Sequence, residues 1–342
     1  MKKTVIYSLM AAAVCMAAVS CAKNAESSAG AVAQEYLGLW MNKYHPGINI
    51  SSTGVYILED EPGTGAAWNS ELGYTFMQVT IRSLNGVITS TGHEAYAKQL
   101  GTYVEGYYYG PQASYTANGY AGVEAVLSGM RAGGTRTAVV PAWLITTDRY
   151  SSQQEYIKAS STSSSLIYTI TFAEQANDIT AWEASKVRLY AQANSLQSAS
   201  FNDDTKESEI FWFLSDTTAI TSKEPLSSGA KITINYTGRL LNGQVFDTTL
   251  EKVAKDNGIY SSSRTYEPVS VTLADSYENI SMNGSTSLLD GFKGALSLMK
   301  YPGEKAIAVF TSALGYTATG SGSTIPSYAP LRFDFEIVSV SN

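Results

Sequence analysis

Histidine and cysteine are almost missing from this chain: 342 residues hold two of each. His45 and His93 both lie in the first third, so nothing beyond them can build a Ser-His-Asp or Cys-His nucleophile or a His-rich metal cluster. Cys15 and Cys21 sit close to the start, and the body of the protein must hold together without a disulfide. Charged residues make up only 15%, with a formal net charge of −7. An acidic chain of this kind is a poor ligand for nucleic acid or for anionic lipid. The one long apolar run, residues 4–19, is too short for a comfortable membrane span. Phosphate-binding loops of usable form are missing too, because Gly320-Ser321-Gly322-Ser323 follows no strand-to-helix signal. No cofactor, no metal and no nucleic-acid partner are expected.

The start of the chain carries a different signal. Met1-Lys2-Lys3 is a short basic segment ahead of the apolar run, which ends in Ala18-Val19-Ser20-Cys21. That ending resembles a bacterial lipobox. Loss of residues 1–20 as a lipoprotein signal peptide would leave Cys21 as the sole cysteine and make the net charge two units more negative. An ordinary cleaved signal peptide would leave an odd lone thiol, whereas lipidation of Cys21 accounts for it. More than one acyl chain on that cysteine is the condition for stable attachment. Ala22 is not the inner-membrane-retaining Asp of the familiar rule, so a lipid anchor in the outer membrane, facing the periplasm or the outside, is the expected location. Residues 21–30 read as a small, polar tether.

What the chain does have is 44% hydrophobic residues, 23 tyrosines and 28 glycines, which suit a strand-rich, turn-rich globular fold. The most informative stretch is residues 229–247. Ile232, Ile234 and Tyr236 alternate with polar neighbours as in a half-buried strand, and Asn242-Gly243 marks a tight hairpin. The return strand brings Phe246 and Asp247 close to Tyr236.

This hairpin resembles the Tyr-Thr-Gly…Phe-Asp signature of FKBP-type peptidyl-prolyl isomerases. The resemblance continues in order through Leu288-Leu289-Asp290-Gly291-Phe292, Met299-Lys300-Tyr301-Pro302-Gly303-Glu304-Lys305, Ala313-Leu314-Gly315-Tyr316, Ile325-Pro326 and Leu331-Arg332-Phe333-Asp334-Phe335-Glu336. Several pieces in the right order over about a hundred residues are specific where one alone is not. The resemblance implies a prolyl isomerase whose clients are proline-containing polypeptides. It implies catalytic roles for Tyr236, Phe246, Asp247, Phe292, Tyr316 and Phe333, and substrate-binding walls from Val269, Leu288, Leu289 and Ile325. Phe292 stands for the family's floor Trp, Val269 for a wall Phe, and Thr317 for a Gly. Arg264 is the candidate partner of Asp247, from an insertion at 250–266 longer than usual.

An earlier part of the chain repeats the same order. Leu84-Asn85-Gly86-Val87 matches the hairpin, Leu127-Ser128-Gly129-Met130-Arg131 the helix, and Leu166-Ile167-Tyr168-Thr169-Ile170 the last strand. Aligned this way, Val79 faces Tyr236, Thr89 faces Phe246, Ser90 faces Asp247, and Val123 faces Phe292; Ile145 falls near Tyr316. The expected fold is therefore α+β: two FKBP-like domains, each an antiparallel twisted sheet wrapped on a short helix. Residues 31–176 form the degenerate domain, 177–204 a helical linker, and 205–342 the isomerase domain. The first domain should begin with a helix at 31–42, its stripe being Val32, Tyr36, Leu37 and Trp40. In the linker, Thr180-Ala181-Trp182-Glu183 resembles a capping box on a semi-rigid spacer. The tyrosines at 107–109, 115 and 120 read equally as an interaction surface or as edge decoration.

The expected function is folding assistance to exported proteins by prolyl isomerisation. The alternative is a non-catalytic, FKBP-like peptide- or partner-binding lipoprotein of the outer membrane, suggested by Val269, Thr317 and the long insertion. Glycan binding through the tyrosine-rich loops is a third, weaker reading.

Overall fold

The computed structural model describes residues 28–116, 119, 121–159, 163–202 and 210–341. The leader, Cys21 and most of the tether lie outside the described residues. The tether ends earlier than expected, because Ser28 accepts from Ala31 N–H and starts helix α1 (Ala29–Tyr44). Half of the stripe that its spacing suggested turns inward, with Trp40 packed beside the buried Leu37. Leu37 and Met41 are buried against Val139 and Ile167, while Val32 and Tyr36 are more than half exposed. Gly30 decides this orientation: a Cβ there would lie 2.9 Å from the Tyr156 ring of α4 (Gln153–Lys158), so only glycine allows the approach.

Two antiparallel sheets follow, built to one plan. The first comprises β1 (Tyr56–Glu61), β2 (Tyr74–Ser83), β3 (Ile88–Thr91), β4 (Gln112–Tyr115), β5 (Thr135–Val140) and β6 (Leu166–Ala176). Its order is β1-β5-β6-β2-β3, with β4 beside the other half of β2. Helices α2 (Glu94–Gln99) and α3 (Ala121–Leu127) interrupt it. After helix α5 (Ile179–Ala193) come β7 (Gln197–Ser198), β8 (Phe211–Asp216), β9 (Lys231–Leu240), β10 (Val245–Thr248), α6 (Glu251–Asp256), β11 (Val269–Thr272), β12 (Ser281–Met282), α7 (Asp290–Leu298), β13 (Lys305–Phe310) and β14 (Leu331–Ser341). The second sheet runs β12-β11-β9-β14-β13-β8-β7, with β10 on β9. Without the short additions β7 and β12, each strand of one sheet has its counterpart in the other.

The registers agree residue by residue. Thr80 pairs with Thr91 and Ile81 with Ser90; Thr237 pairs with Thr248 and Gly238 with Asp247. Both hairpins shift register at the next pair, so Thr89 and Phe246 occupy the same extra position. Each sheet buries one face on its helix. Val126 and Leu127 of α3 enter the first core, and Phe292, Ala295 and Leu296 of α7 enter the second.

Helix α5 is not a spacer. Its cap is Asp178, which accepts from the Thr180 and Ala181 amides, so the Thr180–Glu183 capping box does not form. Val187 and Ala191 pack with Leu196, Trp212 and Val309 on the back of the second sheet. Trp182 stacks on Phe76 of the first sheet with ring centroids 4.1 Å apart. The helix is a buttress shared by both domains, because its apolar stripe finds a sheet to cover.

Candidate functional site

Tyr236, on β9, points into the second core together with Phe333 of β14 and Phe292 of α7. The rings meet edge to face, Tyr236–Phe292 at 5.3 Å and Phe292–Phe333 at 5.2 Å. Phe246 closes the group against Phe333 at 5.5 Å. Such contacts are favoured by the ring quadrupoles as well as by burial. Gly238 makes the cluster possible: a Cβ there would lie 2.5 Å from the Phe246 ring and 2.9 Å from Phe333. Ile81 fills the corresponding place in the first domain.

Ile325 is buried in the same core as these rings, and Val269, Leu288, Leu289 and Tyr316 are half-buried against that core. Val269 sits on β11 opposite Ile234. Leu288 and Leu289 lead into α7, where the Leu289 carbonyl accepts from Lys293 N–H. Gly291 lets α7 settle on Phe310, since a Cβ would be 2.6 Å from that ring. The structure thus brings all ten site residues named from the sequence into one place. Phe335, 4.8 Å from Phe292, extends the floor and was not named.

Polar groups stand at one end of this apolar surface. Tyr236 Oη donates to Asp247 Oδ2 at 2.7 Å, and Arg264 pairs with the other carboxylate oxygen. Burial, then the Asp247 charge, push the Tyr236 phenol well above its ordinary pKa, so it stays a neutral donor. Tyr316, raised by burial and by the same carboxylate, also stays protonated. Among the described residues its hydroxyl has no hydrogen-bond partner. Its loop is held from Ser312, whose carbonyl accepts from Thr317 N–H at 2.8 Å. Thr317 has φ 53°, the left-handed conformation that glycine prefers. The loop therefore keeps a glycine-type backbone without the glycine.

Ser312 opens a short 3-10 turn, whose first amides need outside acceptors. Glu183 of α5 supplies them, accepting from Ser312 N at 3.1 Å and from its hydroxyl at 3.0 Å. In the first domain the equivalent amide, Ala142, donates to Ser165 Oγ. The capping-box reading hid this role of Glu183.

The first domain loses the polar group as a set. From β2 through β4 the two copies align at a constant separation of 157 residues, as from Glu94 to Glu251, with no insertion. Val79, Ser90 and Tyr107 occupy the places of Tyr236, Asp247 and Arg264. The long insertion is shared too. Lys98 lies over Tyr103, which stacks on Tyr109, and Lys255 lies over Tyr260, which stacks on Tyr266. The Val104 amide donates to Tyr109 Oη, as the Ser261 amide does to Tyr266 Oη. Tyr103 and Tyr109 are thus framework, Tyr108 packs into the second domain, Tyr107 and Tyr115 remain exposed, and Tyr120 lies outside the described residues.

Among the described residues, no group of three or more His, Cys, Asp or Glu side chains could hold a metal ion, and no helix is long and apolar enough to cross a membrane.

Residues 222–338 match the model of the FKBP-type peptidyl-prolyl cis-trans isomerase family. The FK506-binding protein of Neisseria meningitidis serogroup A is 30% identical over 112 residues, 33% of this chain and 81% of that protein. The macrophage infectivity potentiator of Trypanosoma cruzi is 30% identical over 112 residues, but these span only 44% of its length. A crystal structure of a peptidyl-prolyl cis-trans isomerase from Pseudomonas syringae aligns with a TM-score of 0.31 and 21% identity, over 48% of this chain and 96% of that one. The chain belongs to the FKBP-type peptidyl-prolyl cis-trans isomerase family. The site just described lies within the matched segment.

Proposed function

We propose that the second domain isomerises peptide bonds preceding proline in polypeptide clients, within the pocket of Tyr236, Phe246, Phe292 and Phe333. The observation that carries this reading is the four-ring apolar cluster beside a Tyr316 hydroxyl that has no hydrogen-bond partner among the described residues. The reaction needs no nucleophile. Its barrier, roughly 18–20 kcal/mol, is rotation about a bond with partial double-bond character. Twisting the amide removes resonance and makes the carbonyl less polar, so a site that takes water away favours the twisted form over the planar one. Phe292 and Phe333 supply the dry floor, Val269, Leu288, Leu289 and Ile325 the walls. Tyr316 donates to a substrate carbonyl. Asp247, fixed by Tyr236 and Arg264, shapes the rim.

The clients are exported proteins, and acylated Cys21 anchors the protein in the outer membrane. This part of the reading rests on the leader sequence alone. Palmitate labelling of the expressed protein, lost in Cys21→Ala, tests it.

Catalysis is tested on the full chain by proline-peptide exchange, whose uncatalysed time of tens to hundreds of seconds makes even a weak catalyst visible. Acceleration that falls at least tenfold in Phe292→Leu supports the assignment; unchanged turnover removes it. The thin Val269 wall is the one feature that favours a binding-only protein, and peptide binding without acceleration would establish that reading instead.

A further inference from the structure

Residues 100–111 of the first domain reach across and land on the second domain at three points. Gln244 donates from Nε2 to the Gly106 carbonyl at 2.8 Å. Tyr108 N–H donates to the Ser323 carbonyl at 2.8 Å, and its ring packs against the second core. Gly106 lies so near the 257–266 arm that a Cβ on it would be 2.7 Å from Ile259, and a Cβ on Gly258 would run into Glu105.

Each landing point belongs to a segment that carries part of the site. Gln244 precedes Phe246 by two residues, Ile259 lies in the arm of Arg264, and Ser323 lies between Tyr316 and Ile325. Apart from the Arg264 pair with Asp247, the Thr317 amide bond to Ser312 and the buried Ile325 side chain, the arm and the 317–325 loop have few ties beyond themselves among the described residues. Among the described residues, backbone hydrogen bonds of the arm close locally, as in Ile259 N to Ala254 O and Arg264 N to Ser261 O. Those of the other loop do likewise, Gly320 N to Tyr316 O and Ser321 N to Ile325 O. Segments of this kind open at low cost unless something outside holds them.

We propose that the first domain is a positioning element for the second domain's site: its 100–111 loop straps the Arg264 arm to the Tyr316 loop, acting through Tyr108. The inference rests on the functional reading above and gives the degenerate copy its role. A strap sets the separation of two rim loops, so it governs how well a polypeptide is held rather than the twisting step itself.

The test uses the full chain with Tyr108→Ala, Gly106→Val and the conservative Tyr108→Phe. Hydrogen exchange in 257–266 and 317–325 is measured beside the steady-state isomerisation of a proline peptide. The expected result is faster exchange in both segments for the first two variants. KM should rise about two- to tenfold, the range of one lost aromatic contact, with kcat changed much less. Tyr108→Phe keeps the ring and loses only the hydroxyl bond to the Pro111 carbonyl within the strap, so it should stay much nearer the parent than Tyr108→Ala in both readouts. Unchanged exchange in both segments, or exchange that rises while KM stays fixed, overturns the proposal. Should the parent chain itself show no turnover, the functional reading has failed, and affinity for the same peptide, weakened or not by Tyr108→Ala, decides on the strap.

Discussion

Glu183 offers a quantitative test of how the linker helix meets the site. Its carboxylate is only 3% exposed and accepts two hydrogen bonds from Ser312. Burial lifts its pKa from 4.5 to about 7, because the hydrogen bonds offset only part of the lost hydration. Between pH 4.5 and 7 the folded protein therefore holds a proton that the unfolded chain has released. Stability falls as pH rises through that window and levels off above it. The full displacement corresponds to roughly 3 kcal/mol, at about 1.4 kcal/mol for each pH unit. Glu183→Gln keeps the shape and an acceptor for the Ser312 amide but cannot ionise. In urea titrations of the full chain, the variant should match the parent at pH 5 and become the more stable by up to roughly 3 kcal/mol at pH 8. A stability difference that stays flat from pH 5 to 8, or that reverses in sign, would refute the reasoning.

Other substitutions probe the site itself. Tyr316→Phe should lower kcat/KM about tenfold while leaving the unfolding midpoint unchanged, since that hydroxyl has no hydrogen-bond partner among the described residues; equal activity would remove Tyr316 from the mechanism. Gly238→Ala should displace Phe246 or Phe333, costing about 1–3 kcal/mol of stability and most of the turnover; a crystal structure with unmoved rings would contradict this. Thr317→Gly should relieve the left-handed strain and stabilise the domain by about 1 kcal/mol in chemical denaturation, and a loss of stability would show that the threonine is favoured there.

The second domain was legible because its signals are local. The period of Ile232, Ile234 and Tyr236, the Asn242-Gly243 turn and the ordered motifs each survive in a few adjacent residues. The ten site residues converge in the structure because strand register and helix position follow from those motifs. Three features stayed hidden for physical reasons. The outward turn of Val32 and Tyr36 on α1 goes with Gly30 meeting Tyr156, a contact between elements far apart in sequence. Glu183 was assigned to a local cap because its partner, Ser312, lies far along the chain. The tyrosines of 103–109 gave no hint of direction, since an exposed ring and one docked on a neighbouring domain look alike in composition.

The insertion was harder to judge, and its repetition changes its meaning. Taken alone in the second domain, residues 250–266 are a departure from the family pattern and weaken the case for an active site. The same Glu, Lys, Gly and Tyr positions recur in the first domain 157 residues earlier, with the same ring stack and the same amide-to-phenol hydrogen bond. The arm was therefore present before the chain duplicated, or was kept alike in both copies, and is part of the architecture. The copies differ at many positions, and the groups that meet at the site are among them. Val79, Ser90 and Tyr107 replace Tyr236, Asp247 and Arg264, and Ile81 fills the space that Gly238 leaves for the rings. A phenol, carboxylate and guanidinium that depend on one another are useless singly, since an isolated partly buried charge costs stability without a partner. Their joint replacement by groups that need no such partner is what relaxation of one site would produce, while the shared arm of that copy rests on the rim of the other.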